Sequence, residues 1–173
     1  MMRKPVSQGD LDGFCGLYSI INALTLLFPS SMNSDARDKI FYVIARSLPA
    51  IRWPAVLWDG TTAKDVGKML DAARSAMKHT FQWERPFDKH LKIATFEEFR
   101  HELKIRIEGD DAFAIMGISK PWEHWSCAHR VLEHEIKMTD SCHVKQIRLA
   151  DCGLTGDGKP YEFDAGQTFV LRK

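Results

Sequence analysis

The sequence predicts an α+β fold, with N-terminal helices packed on a C-terminal antiparallel sheet. Three observations carry this. Apolar residues in the first half recur at steps of three and four between capping residues. The second half holds short apolar runs bounded by turn residues. The chain has 173 residues, 45% of them hydrophobic, without a repeat, low-complexity tract or Gly/Ser linker. Residues 1–173 therefore form a single domain large enough to build its own core.

Residues 14–27 place Leu17, Ile20, Ile21, Leu24 and Leu27 on one helix face, and Pro29 with Ser30 and Ser31 stops that helix. Ser34 is the expected N-cap of a second helix over 35–48, with Asp35 and Asp38 at the positive end of its dipole and Pro49 beyond its end. Residues 51–59, with two Trp and a Pro, read as a connector. Thr61 or Thr62 caps a third helix reaching Met77, whose inner face carries Val66, Met69, Leu70 and Ala73. Thr95 and Glu98 fit a capping box opening a short fourth helix through Leu103.

Residues 112–118 are continuously apolar between Asp110-Asp111 and Lys120-Pro121, as in a strand buried on both faces. Strands over 125–132 and 135–139 follow, joined tightly at Glu133-His134, and 145–150 and 168–171 are weaker strands. Residues 79–83 read as an edge strand. The Gly-rich piece 153–158 reads as a hairpin loop rather than a phosphate cradle, because no helix follows it.

Charge limits the functional classes. With 24 Lys+Arg against 23 Asp+Glu the net charge is +1, so the basic excess of nucleic-acid and membrane-surface proteins is missing. No nucleic acid and no membrane are expected as partners; the expected partner is a peptide or protein substrate, and the oligomeric state stays open. No apolar run follows the N-terminal basic pair, and the most apolar stretch, 17–28, is interrupted by Tyr18, Ser19, Asn22 and Thr25. The expected location is cytoplasmic. Four cysteines (Cys15, Cys127, Cys142, Cys152) are too few for a disulfide scaffold and read as free thiols.

Chemistry concentrates in two segments. In residues 8–24, Cys15 stands where a Gly-containing loop enters a helix. There, unpaired amides and the dipole favour thiolate, the nucleophilic form. Gly13 and Gly16 leave room for a substrate backbone. The competing reading is a small core thiol. A nucleophilic thiol needs a proton-transfer partner, normally His, and that His an orienting group. In residues 122–141, His124 begins one strand and Asp140 ends the next. With the turn near 133–134, antiparallel partners sum to about 266 or 267, so His124 and Asp140, which sum to 264, fall two or three residues short of facing each other, at the same end of the strand pair. An Asp there holds one His tautomer and leaves the other ring nitrogen for a thiol. Asp151, beside Cys152, is an alternative orienter.

Cys15-Gly16-Leu17-Tyr18 with Asn22-Ala23-Leu24 behind it, then His124-Trp125, then Asp140-Ser141, resembles the papain-like cysteine peptidases. The nearest likeness is the bacterial branch related to bacteriocin-leader-processing peptidases. The resemblance follows the order Cys, His, Asp over most of the chain, though its motifs cover only a small part. It implies a papain-like fold and a Cys15–His124–Asp140 triad. It also implies Gln8 as an oxyanion-hole donor, one residue further from the cysteine than is usual. It implies no cofactor. The same apparatus hydrolyses peptide bonds, deamidates glutamine side chains or transfers acyl groups, and a degenerate copy would be a non-catalytic peptide-binding module. The Trp- and Pro-containing segments 53–59 and 119–123 favour walls for an extended peptide, and so peptide-bond hydrolysis.

Two metal readings are weaker. Cys127 and His129 share a strand face, with Cys142, His143 and Cys152 further on, but no regular ligand pair appears among them. Asp10-Leu11-Asp12-Gly13 lacks the later ligands of a calcium loop and reads as a turn. No metal site is therefore expected.

Overall fold

The computed structural model describes residues 13–87 and 92–173. Among these residues, five α-helices and a seven-stranded sheet form an α+β fold. Helix α1 (Cys15–Leu27) turns its apolar stripe inward, and Ser19 Oγ donates to the Trp125 carbonyl at 2.8 Å, tying it to the sheet. Helix α2 (Ser34–Arg46) is capped by Asn33, whose side chain accepts from the Ala36 amide at 2.9 Å. The expected cap, Ser34, is instead the first helical residue.

The segment read as a connector folds into a 3₁₀ turn (Ala50–Arg52) and a short helix α3 (Trp53–Asp59). Pro54 lies in the first turn, where the missing N–H costs no helical bond, so it starts this helix rather than breaking it. Helix α4 (Ala63–Ala76) is capped by Thr62, which exchanges a capping box with Asp65. Helix α5 (Phe96–Arg106) has the expected box between Thr95 and Glu98.

The strands are β1 (Gln82–Glu84), β2 (Ala112–Lys120), β3 (His124–Val131), β4 (Glu135–Thr139), β5 (Gln146–Arg148), β6 (Cys152–Leu154) and β7 (Tyr161–Arg172). Their order is β1-β7-β2-β3-β4-β5, antiparallel throughout, with β6 added beside β7 in parallel. That pairing corrects the expected hairpin at 153–158: the loop carries the chain back so that β7 starts alongside β6. Glu162 holds the loop, accepting from the Gly156 and Gly158 amides at 2.9 and 2.7 Å and from Lys120 Nζ at 2.9 Å. Both glycines have positive φ, which a side chain would strain. The residues expected as a short strand at 168–171 are the end of the long β7, which bulges by three residues opposite Met116 and Gly117.

The core has two layers because the sheet is covered on both faces. Phe113, Ile115, Trp125, Cys127, Phe169 and Leu171 pack under α1, α2 and α4. Their alternates Ala114, Met116, Ala128, Ile136, Phe163 and Val170 pack with Phe99 and Leu103 of α5. The continuous apolar run of β2 is thereby explained. The expected arrangement is refined in one respect, since α5 lies on the face opposite the first helices. Among the described residues no single helix is long and apolar enough to cross a membrane.

Candidate active site

Cys15 is the first residue of α1, so its amide belongs to the four that have no acceptor within the helix. The approach to it is pinned: the Gly13 amide donates to the Leu57 carbonyl at 2.9 Å, fastening the loop to α3. A Cβ on Gly13 would come within 2.6 Å of the Val56 carbonyl oxygen, and one on Gly16 within 2.1 Å of Thr61 Oγ1. These glycines were expected to make room for a substrate; they make room for the protein's own α3–α4 junction. Trp125 Nε1 donates to the Thr61 carbonyl at 2.8 Å, so β3, the junction and the start of α1 form one locked corner.

The β3–β4 register delivers the other two residues. Ala128 pairs with Met138 and Cys127 with Thr139, and continuing the ladder sets Asp140 opposite Ser126 on the His124 side. His124 is two residues along on the same face, a diagonal neighbour within reach. The His124 Nε2 to Asp140 Oδ2 distance is 2.6 Å, with His124 6% and Asp140 1% exposed. The other oxygen, Asp140 Oδ1, accepts from the Cys142 amide at 2.7 Å and the Val144 amide at 3.3 Å, which fixes the carboxylate's rotation.

Burial alone disfavours an imidazolium at His124. Hydrogen bonding to Asp140 and to Cys15, with the charges of both, outweighs it and raises the pKa from 6.5 to about 9. With Nε2 committed to Asp140, Nδ1 is the ring nitrogen left to serve the sulfur. Burial likewise opposes charge on Asp140, but the bond from His124, the nearby Ser126 hydroxyl and the Cys142 amide hold its carboxyl below the usual range. Ser126 Oγ favours the carboxylate by proximity while falling short of regular hydrogen-bond geometry.

Cys15 and His124 open on a cavity of about 380 Å³. Its walls come from α3 and the α3–α4 junction (Ala55, Asp59, Thr61), from the end of β2 and its connection to β3 (Ile118, Ser119, Glu123) and from the β7 bulge (Asp164, Gln167). Both segments expected to wall a cleft do so. Trp122 stands beside His124, ring centroids 6.2 Å apart, and Trp125, though largely buried, lines the cavity. The contribution of the β7 bulge was missed, because nothing in the alternation of 161–172 marks three extra residues.

The remaining candidates separate cleanly. Asp151, the alternative orienter, accepts instead from Arg148 Nε at 2.8 Å. Gln8, Asp10 and Asp12 lie outside the described residues. His129 bonds Thr139 Oγ1 at 3.1 Å, and burial, then Arg130 and Lys137, lower its pKa. Burial pushes the Cys127 thiol up, with Asp140 adding to the rise, and pushes Cys152 up to about 12. Cys142 is exposed. Cys15 itself is only 7% exposed, less open than expected.

Among the described residues one trio of potential metal ligands lies within 4.8 Å, on His124, Asp140 and Cys142. A cation there would have to part Nε2 from Oδ2, which already bond each other directly at 2.6 Å. The trio is better suited to orienting His124 than to binding an ion. No protein-family model matches the chain, and no curated protein matches it.

Proposed function

We propose that this protein is a thiol hydrolase of papain-like architecture that acts on peptide or protein amide bonds through Cys15, His124 and Asp140. One observation carries the reading: a buried imidazole bonded at 2.6 Å to a buried carboxylate also serves a helix-N-terminal thiol, and both open on one cavity. A core cysteine needs no such partner.

The chemistry follows from the geometry. The Cys15 sulfur attacks the acyl carbon and forms a C–S bond. As the C–N bond breaks, the His124 imidazolium gives its proton to the leaving amine. Water then attacks the thioester, His124 takes a proton from it, the C–S bond breaks, and the acid leaves with the thiol regenerated. The Cys15 amide serves the developing oxyanion; one such donor is typically worth about 3–4 kcal/mol. Asp140 keeps the imidazole in the tautomer that presents Nδ1 to the sulfur. The cavity is walled by α3, by the end of β2 with its connection to β3, and by the β7 bulge, and a peptide segment is the substrate proposed for it.

Incubating the protein and its Cys15→Ala variant with cell lysates, then reading chain termini and deamidation by mass spectrometry, tests the proposal. New α-amino termini that require Cys15 are expected. Cys15-dependent ammonia release without new termini would replace peptidase with deamidase. No Cys15-dependent change in any lysate would favour a peptide-binding module.

A further inference from the structure

We propose, building on that reading, that the cleft selects peptide segments carrying an arginine or lysine beside the scissile amide. The charges lining it are unbalanced. Asp59, Glu123 and Asp164 contribute carboxylates from three separate walls. The cationic lining residues are already matched: His124 bonds buried Asp140 at 2.6 Å, and the Arg52 guanidinium bonds buried Asp65 at 2.7 Å and also feels the charge of Asp59. Lys120, next to the β2 wall, is matched by buried Glu162 at 2.9 Å. Asp164 has a neutral partner, Gln167 Nε2 at 2.8 Å, which leaves its charge in place. The cleft therefore carries negative charge although the whole chain is near neutral at +1.

An aromatic ring beside the cleft suits a cation with a long apolar stem. Exposed Trp122 precedes the lining carboxylate Glu123 in the chain. Trp122 borders the His124 ring. An indole face takes an aliphatic stem and attracts a guanidinium or ammonium, while the adjacent carboxylate takes its hydrogen bonds.

The test uses peptide pools in which arginine is replaced by citrulline, a neutral near-isostere, at positions flanking each amide. Wild-type cleavage sites are read by mass spectrometry, and binding to the Cys15→Ala protein by fluorescence anisotropy. Cleavage and binding should both favour arginine by about tenfold, as expected for a cation meeting an aromatic face and partly screened carboxylates. The preference should shrink in Asp59→Asn/Glu123→Gln, two exposed positions whose replacement leaves the core untouched, and in high salt. Cleavage without preference for arginine over citrulline would overturn the inference and leave the hydrolase reading standing. Absence of cleavage would count against the hydrolase reading. The binding comparison would then still decide the inference, equal affinity for the two pools rejecting it.

Discussion

Replacing Asp140 by Asn removes one charge and changes almost no volume, and its consequences follow from bonds already described. In the native site Oδ1 accepts from two backbone amides while Oδ2 meets His124 Nε2. An Asn keeps its single carbonyl oxygen on the amides and so points its NH₂ at Nε2. That nitrogen must then be unprotonated, and the ring proton moves to Nδ1, where it blocks the role of base toward the sulfur. The rise of His124 from 6.5 to about 9 corresponds to about 3 kcal/mol of preference for the imidazolium in the folded state. Without the carboxylate, burial is less opposed and the pKa falls.

The pH window follows. A raised His pKa stabilises the fold fully below about pH 6.5, and the contribution is lost as pH rises through about 9. Asp140, whose pKa is lowered, contributes above its unfolded value of 3.8 and loses that contribution as pH falls through its folded value. Urea unfolding followed by circular dichroism should therefore show Asp140→Asn destabilised by about 3 kcal/mol near pH 5.5, and by distinctly less near pH 9.5. Amide hydrolysis should fall by about 10²–10⁴-fold, the usual worth of a positioned acid–base group. A pH-independent stability loss, or a loss confined to high pH, would refute the proposed charge pairing.

Brief iodoacetamide treatment near pH 6 should alkylate Cys15 ahead of Cys127 and Cys152, whose pKa values burial raises, and ahead of exposed Cys142; peptide mapping that finds Cys142 labelled first would count heavily against a primed Cys15. His124→Ala should abolish that low-pH reactivity while the circular dichroism spectrum stays folded, and His129→Ala should leave it in place; the reverse pattern would move the role to His129. Gly16→Ala should destabilise by about 1–3 kcal/mol because its Cβ would lie 2.1 Å from Thr61 Oγ1, and Thr61→Ala should recover part of that loss in the double variant. Additive losses in urea unfolding would show the clash to be elsewhere.

The parts of this site legible in the sequence were those set by local rules. The expected pair sum of 266 or 267 is the sum seen at Ala128–Met138 and Val131–Ile136, so Asp140 and His124 could be brought together from turn position alone. The capping box at Thr95 follows from residue type and spacing, whereas at the next cap upstream the sequence leaves Thr61 and Thr62 open and the box with Asp65 emerges in the fold. What escaped depends on distant partners. Pro54 reads as a breaker until it is seen in the first turn of α3. Gly16 reads as access for a substrate until Thr61, from another element, is seen against it. The return loop before β7 resembles a hairpin because its organiser, Glu162, lies beyond it in the chain. The bulge that brings Asp164 and Gln167 to the cleft exists only relative to β2.

The most direct test of the central claim is rapid acid quenching of the protein with a peptide ester, followed by mass spectrometry of the intact chain and its digest. An acyl adduct on Cys15, removed by neutral hydroxylamine and missing in Cys15→Ala, is the predicted result. An adduct on Cys142 instead, or none on folded wild-type protein, would contradict it.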